Sequence, residues 1–340
     1  MKNYELEIER LHAELSDSLK NQSQIINVMN SLVKQIEMEQ LRCNMAMSVA
    51  KNMKYEILDS RYHHEDIFYP VIKGVDETLT EILKNNRSIA RFGDGEFAIM
   101  AKYARQKFQM FDIELSRRLK EVFASEDDRL LIGIADNYGS LHQFNEDSAD
   151  KIRAYMTEEV RSEHMHYINK KRVYYNAYVT RPYVLMADNI TDAPKKRFEL
   201  WKAVWESRDV VIVEGAQSRI GVGNDLLENA RSIRRIVAPA TNSFSQYDNL
   251  LKSSIENAHE GDVFLIALGP SAGVLAYDLT QAGYQALDIG HLDLEYEWFL
   301  AGKYQRVPIL HKYNNEFPGD EEAQPIYDLD YEKQIIVKCE

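Results

Sequence analysis

Ser88-Ile89-Ala90-Arg91-Phe92-Gly93-Asp94-Gly95-Glu96 reads as a short apolar strand running straight into a tight turn with two glycines. In an extended or turning backbone Asp94 and Glu96, two residues apart, project to the same side, and the glycines remove the Cβ atoms that would keep a bulky ligand away. Such a turn can hold a hard divalent cation through oxygen while leaving room for a diphosphate, because magnesium or manganese takes one or two carboxylates plus substrate phosphates. Taken alone, an Asp-x-Glu triplet is most often a solvated acidic turn.

The downstream segments carry the same strand signal onward. Short apolar runs rich in β-branched residues recur at helix-sized intervals: Leu130 to Ala135, Val173 to Val179, Val210 to Val213, Ile233 to Ala238, Val263 to Leu268 and Ala286 to Ile289, with a last strand at Gln334 to Lys338. Continuous apolar strands spaced by helices indicate an α/β protein with a Rossmann-like, mostly parallel sheet covered by helices on both faces. The acidic segment Glu316 to Asp330 reads as a surface loop. His63-His64-Glu65-Asp66, in a polar connector before Pro70, reads as a linker rather than a metal site.

Upstream, residues 4 to 57 follow a heptad register: Tyr4, Ile8, Leu11, Leu15, Ser18, Gln22, Ile25, Met29, Leu32, Ile36, Glu39, Cys43, Ala46, Ala50, Met53 and Ile57. Thirteen of these sixteen are apolar, and no proline or glycine interrupts the segment, which predicts a long coiled-coil helix. The expected organisation is a helical arm at 1–57, a linker at 58–74 and the α/β domain at 75–340. The arm suits a homodimer contact or the docking of a partner.

Composition bounds the function. With 340 residues and 45% apolar content the chain can build a full core. A net charge of −13, with scattered basic residues, argues against nucleic-acid binding. No apolar run reaches the roughly 18 residues of a membrane span, and the first twenty residues are too charged for a secretory signal, so a cytoplasmic location is expected. Cys43 and Cys339 form neither a disulfide framework nor a metal spacing.

In such a sheet ligands collect beyond the carboxyl ends of the strands. After Val213 comes Glu214-Gly215-Ala216-Gln217-Ser218-Arg219-Ile220-Gly221-Val222-Gly223-Asn224-Asp225, a glycine-rich loop expected to open a helix at Asn224 or Asp225 and able to present N–H groups to a phosphate. It lacks the third glycine of a dinucleotide fingerprint. Leu268-Gly269-Pro270-Ser271 starts a helix, and Ser271 adds a donor. Asp288-Ile289-Gly290-His291-Leu292-Asp293-Leu294-Glu295-Tyr296-Glu297-Trp298 gathers His291, Asp293, Glu295 and Glu297 on one side if extended, or pairs His291 with Glu295 and Asp293 with Glu297 if helical. Arg91, Arg181 and Arg219 each follow a strand and could clamp a diphosphate.

Together, Arg-Phe-Gly-Asp-Gly-Glu at 91–96, Arg-Pro-Tyr at 181–183, Gly-Val-Gly-Asn-Asp-Leu at 221–226, Ala-Leu-Gly-Pro-Ser-Ala at 267–272 and the 288–298 segment resemble the GT-D-fold glycosyltransferases, a family typified by a streptococcal glucosyltransferase that extends glycans on serine-rich repeat adhesins. The resemblance covers roughly residues 75 to 312 and leaves out the arm. It implies a hexosyltransferase that uses a UDP-sugar, with glucose the first choice of hexose, and a glycan or glycoprotein acceptor. It also implies Mn2+ or Mg2+ at Asp94 and Glu96. Arg91 and Gly93, with Arg181, Arg219, Gly223, Asn224, Gly269 and Ser271, would hold the donor. His291, Asp293, Glu295 and Glu297 would line the transfer site, with Glu297 preferred as the base over Glu295. Two rival readings use the same sequence: a metal-dependent nucleotide-sugar hydrolase, and an inactive scaffold assembled through the coiled coil.

Overall fold

The computed structural model describes residues 2–61, 67–102, 109–314 and 323–339. His63 to Asp66 and residues 316–322 of the acidic segment lie outside the described residues. The strands β1 (Val71–Ile72), β2 (Ser88–Phe92), β3 (Leu130–Ile134), β4 (Val173–Asn176), β5 (Asp209–Gly215), β6 (Ser232–Ala238), β7 (Val263–Ala267), β8 (Gln285–Asp288) and β9 (Ile335–Lys338) form one sheet in the order β1-β4-β3-β2-β8-β7-β5-β6-β9. All of its strand pairings are parallel, as a sheet built from continuous apolar runs requires.

The period of two along each strand divides the core. Ala90, Phe92, Ile132, Ile134, Val211 and Val213 face one side, while Ile89, Leu131, Val210 and Ile212 face the other. On the first side pack α4 (Ile113–Ala124), α5 (Glu146–Tyr155), α8 (Tyr247–Glu256) and α9 (Ser271–Gln281). On the second pack α2 (Val75–Lys84), α7 (Ala193–Val204) and α10 (Leu292–Leu300). Short α3 (Asp94–Met100) follows β2, α6 (Glu158–Tyr167) follows α5, and α11 (Leu329–Gln334) precedes β9. Several starts are fixed by side chains. Asp112 Oδ1 accepts the N–H groups of Glu114 and Leu115 at α4, and Asn145 Oδ1 accepts that of Ser148 at α5.

The first helix, α1 (Lys2–Arg61), is continuous over 60 residues, or ~90 Å at 1.5 Å per residue. Only its last turns meet the domain. Ser48 Oγ and Asn52 Nδ2 donate to the carbonyls of Ala154 and Arg153 at 3.0 and 2.7 Å, and Glu56 takes both Nε and Nη2 of Arg153. The rest of the seam is open to solvent, with Leu15, Ile25, Met29, Leu32 and Ile36 each more than half exposed. Among the described residues no helix is long and apolar enough to cross a membrane.

Two local expectations need correction, and one open alternative is resolved. The segment after Val222 forms turns rather than a helix opening at Asn224, and Asn224 spends its side chain on other partners. The run from Val173 leaves the sheet at Asn176 and winds into a 3-10 turn at Ala177–Thr180, started by Asn176 Oδ1 accepting the N–H of Tyr178. Residues 292–300 are helical, so Asp293 and Glu297 stack one turn apart.

Candidate active site

After β2 the chain runs outward through β3 and β4, then crosses to the opposite half of the sheet for β5 and β6; β8 lies beside β2 at this reversal. A cavity of about 850 Å³ opens there beyond the strand ends, where a doubly wound sheet places its ligands. Its wall includes Arg91, Gly93, Asp94, Glu96, Arg181, Gly269, Asp288, His291 and Asp293.

Asp94 is exposed, and Glu96 lies deeper in the concave wall, its Oε2 accepting the Gly93 N–H at 2.8 Å. Burial, helped by the negative charges of Asp288 and Asp94, pushes the Glu96 carboxyl up to about 7, against the opposing pull of the Gly93 N–H. Arg91 donates through Nη2 to Asp288 Oδ1 at 2.6 Å and through Nε to the Asp288 carbonyl at 2.9 Å, tying β2 to β8. Burial raises the Asp288 carboxyl, with Arg91 working the other way. Gly290 adopts φ 46°, and a Cβ there would collide with the Arg91 guanidinium, so two separate constraints demand glycine.

Arg181 Nη2 lies 3.0 Å from His291 Nδ1. Because a guanidinium only donates, Nδ1 accepts and the proton of neutral His291 sits on Nε2. This tautomer makes His291 a donor through Nε2. The N-cap residues of α9 and α10, Pro270 and His291, also line the cavity, so the positive ends of two helix dipoles lie at its wall, where they favour an anion.

The remaining candidates have other employment. Asp293 Oδ1 accepts from Gly221 N and Asn224 Nδ2, both at 2.9 Å, while its Oδ2 accepts from buried Lys312 Nζ at 2.6 Å. Glu297 Oε1 accepts from the same Asn224 and Lys312, each at 2.7 Å. Fully buried Glu295 takes the N–H groups of Tyr183 and Val184, at 3.1 and 2.9 Å. Neither Glu295 nor Glu297 lines the cavity, nor do Arg219, Gly223, Asn224 and Ser271. In this structure Glu297 and Asn224 instead join Asp293 and Lys312 in a latch that fastens the 221–224 loop to α10. Arg219 Nη1 donates to the carbonyls of His311 and Gln324 at 2.7 Å, fixing a surface crossing rather than clamping phosphate. Ser271 shares a hydroxyl contact of 3.1 Å with Ser243 beneath the cavity.

Sequence reasoning missed Lys312, the Glu214–Arg235 pair that grips Ile220 from both sides, and an aromatic group formed by Phe97, Tyr138, His164 and Tyr178. None has a local signature, since their partners come from distant segments.

A divalent cation fits the donor set as a guest held jointly with a ligand. Among the described residues no three His, Cys, Asp or Glu side chains form a ready-made cage. Asp94 and Glu96 offer two carboxylates at the cavity, with an excess of negative charge around Glu96, and magnesium or manganese completes such a set with phosphate and water oxygens.

The family profile of the glycosyltransferase GT-D fold matches residues 89–317. A probable glycosyl transferase of Streptococcus gordonii is 36% identical over 268 residues, covering 78% of this chain and 38% of that protein. A glycosyltransferase of Streptococcus pneumoniae serotype 4 is 36% identical over 274 residues, covering 78% and 32%. The chain thus spans about a third of the length of these curated relatives. Among solved structures, one described as a highly conserved domain of unknown function 1792 with a distinct glycosyltransferase fold superposes with a TM-score of 0.73 at 33% identity, covering 79% of this chain and 95% of that one. A glycosyltransferase from Streptococcus sanguinis superposes with a TM-score of 0.72 at 35% identity, covering 80% and 100%. By profile, sequence and fold together, the chain belongs to the glycosyltransferases of the GT-D fold.

Proposed function

We propose that this protein transfers a hexose, glucose in the first instance, from a UDP-sugar to a hydroxyl of a glycan or glycoprotein, with Asp94 and Glu96 as the centre of the reaction. The observation that carries this reading is the meeting, in one cavity, of two carboxylates with the N-termini of α9 and α10 and the donors Arg181 and His291. A diphosphate needs cationic and N–H partners, and a departing one gains charge that these partners stabilise. A manganese or magnesium ion held by Asp94, Glu96 and the diphosphate would neutralise that charge without a proton transfer. His291, fixed by Arg181 with its proton on Nε2, donates to the leaving group. The acceptor oxygen forms the new bond to the anomeric carbon as the bond to the diphosphate breaks, and the hydroxyl proton passes to a carboxylate of the Asp94–Glu96 centre. Asp288 and Asp293 suit that role less, being ion-paired with Arg91 and Lys312 respectively.

The arm of this enzyme pairs with a second copy. Its exposed stripe from Ile8 to Met47 offers on the order of 1,000 Å² of apolar surface, more than a monomer usually leaves to solvent and enough for a standard interface. Cys43 is exposed and Cys339 buried, both as free thiols, which suits a reducing cytoplasm.

The test is UDP release from a panel of UDP-sugars with manganese, beside Glu96→Ala and an EDTA control. Release from one sugar, dependent on the metal and lost in the variant, is expected. Release that ignores every acceptor sugar would favour a hydrolase, and absence of UDP binding would overturn the reading.

A further inference from the structure

The cavity has two unlike halves. The flank beyond β7 and β5 is built of backbone: Gly269, Pro270, Ser218 and Ile220, with the N-termini of α9 and α10 alongside. The flank beyond β3 and β4 is aromatic. Its floor is Phe97, one residue after Glu96, with the His164 ring stacked on it at 3.9 Å. Tyr138 Oη lies 2.9 Å from His164 Nδ1. Tyr155 from α5 and Tyr178 from the turn after β4 line this flank half-buried, and Tyr178 Oη donates to Asn137 Oδ1 at 3.0 Å.

Resting on the glycosyl-transfer reading above, we infer that this aromatic chamber binds the acceptor as a neutral pyranose, with Tyr155 and Tyr178 stacking on its apolar faces. The diphosphate belongs at the opposite flank, where the N-cap residues of α9 and α10 line the cavity. A chamber floored by rings suits an uncharged ligand, and His164 is itself uncharged there, burial pushing its imidazole down to about 4. The position is also right for the chemistry. A sugar standing on Phe97 and His164 brings a hydroxyl beside Asp94 and Glu96, whose chain continues directly into Phe97. Exposed Lys151 on α5 marks the chamber's outer rim, through which a longer glycan or a polypeptide can continue.

The arm is joined to this chamber and not to the donor half. Tyr55 of α1 stacks under the Arg161 guanidinium at 3.7 Å, and Arg161 donates to the carbonyls of Tyr138 and Asn137. The helix pair α5–α6 therefore carries the arm on one side and Tyr155 and His164 on the other.

Saturation-transfer NMR on the full chain, with UDP as donor-side probe and a set of p-nitrophenyl hexosides as acceptor-side probes, tests the assignment. Tyr155→Ala and Tyr178→Leu are each expected to weaken hexoside binding at least tenfold while the UDP Kd moves less than twofold, and Tyr155→Phe, which keeps the ring, should stay within threefold of wild type. Melting curves identify any variant that fails to fold, and the other tyrosine then supplies the answer. Loss of UDP affinity with hexoside binding intact would make the chamber a nucleobase seat and overturn the inference, as would a wild-type protein that binds UDP but none of the hexosides, or variants that change neither. A wild-type protein that does not bind UDP would instead defeat the parent reading.

Discussion

Asp293, Glu295 and Glu297 on α10 are each held by at least two donors from distant parts of the chain, whereas Glu96 accepts an N–H from Gly93 within its own turn and faces two more carboxylates. Both groups are acid-rich and border the same strand ends. The difference lies in compensation. Donors built into the fold turn an acid into a structural tie, while like charges left to one another leave a demand for a proton or a cation that a ligand can meet. The α10 acids should therefore cost stability when removed, and the α3 acids should cost activity.

The largest effect expected is on turnover. Glu96→Ala should reduce metal-dependent UDP release on the order of a thousandfold, the scale of a lost electrostatic contact to a developing charge. Far-ultraviolet circular dichroism of the variant should match wild type. A variant retaining a tenth of the activity would break the contrast at its active end.

Next in size is the structural end. Lys312→Met leaves Asp293 and Glu297 without their shared ammonium, and stranding a buried charge costs about 3–5 kcal/mol. Denaturant unfolding should show that loss, and the 221–224 loop should become more sensitive to proteolysis. Unchanged stability would mean that the latch is not what holds the loop.

Much of the architecture is legible in the sequence, for identifiable reasons. The strands announce themselves because a parallel sheet covered on both faces needs uninterrupted apolar runs, and β3, β5 and β7 are buried along almost their whole length. The acidic pair Asp94 and Glu96 is legible as neighbours in sequence, but its backbone is not: the two residues form the first turn of α3 rather than an extended turn, so they do not project to the same side as expected. The role of Glu297 is not, because its partners Asn224 and Lys312 lie 73 and 15 residues away. The alternation across 288–298 fits a strand and a helix alike, and the choice falls to Tyr296 and Trp298 packing on Phe198 and the Val307 carbonyl. The aromatic chamber draws on five separate segments and leaves no trace in any one of them.

The pH response sharpens the same contrast without touching turnover. With its carboxyl near 7 in the folded protein against 4.5 unfolded, Glu96 makes the folded state hold the extra proton between those values. Its contribution is then fully present below about pH 4.5 and lost as pH rises through 7, a fall of about 1–2 kcal/mol once solvent in the cavity is allowed for. Glu96→Gln keeps an oxygen for the Gly93 N–H and cannot ionise, so it should flatten that part of the stability curve and melt higher than wild type at pH 8. A variant less stable than wild type at pH 8 would show that Glu96 is compensated after all.

The smallest effect is the most discriminating, because it falls on the residue that sequence reasoning favoured as the base. Glu297→Gln keeps one oxygen to accept from Lys312 and Asn224, so the latch survives at a cost of about 1 kcal/mol, the worth of replacing a charged acceptor by a neutral one. Glu297 is not among the residues that line the cavity, and its Oε1 already takes two donors, which suits a structural tie better than a base. Transfer should therefore fall by no more than a few fold, in step with the loss of folded protein, and the pH dependence of kcat should keep its shape. A hundredfold fall in kcat with the melting temperature preserved would return Glu297 to the role of base. The proton would then be taken by Oε2, since Lys312 and Asn224 both hold Oε1.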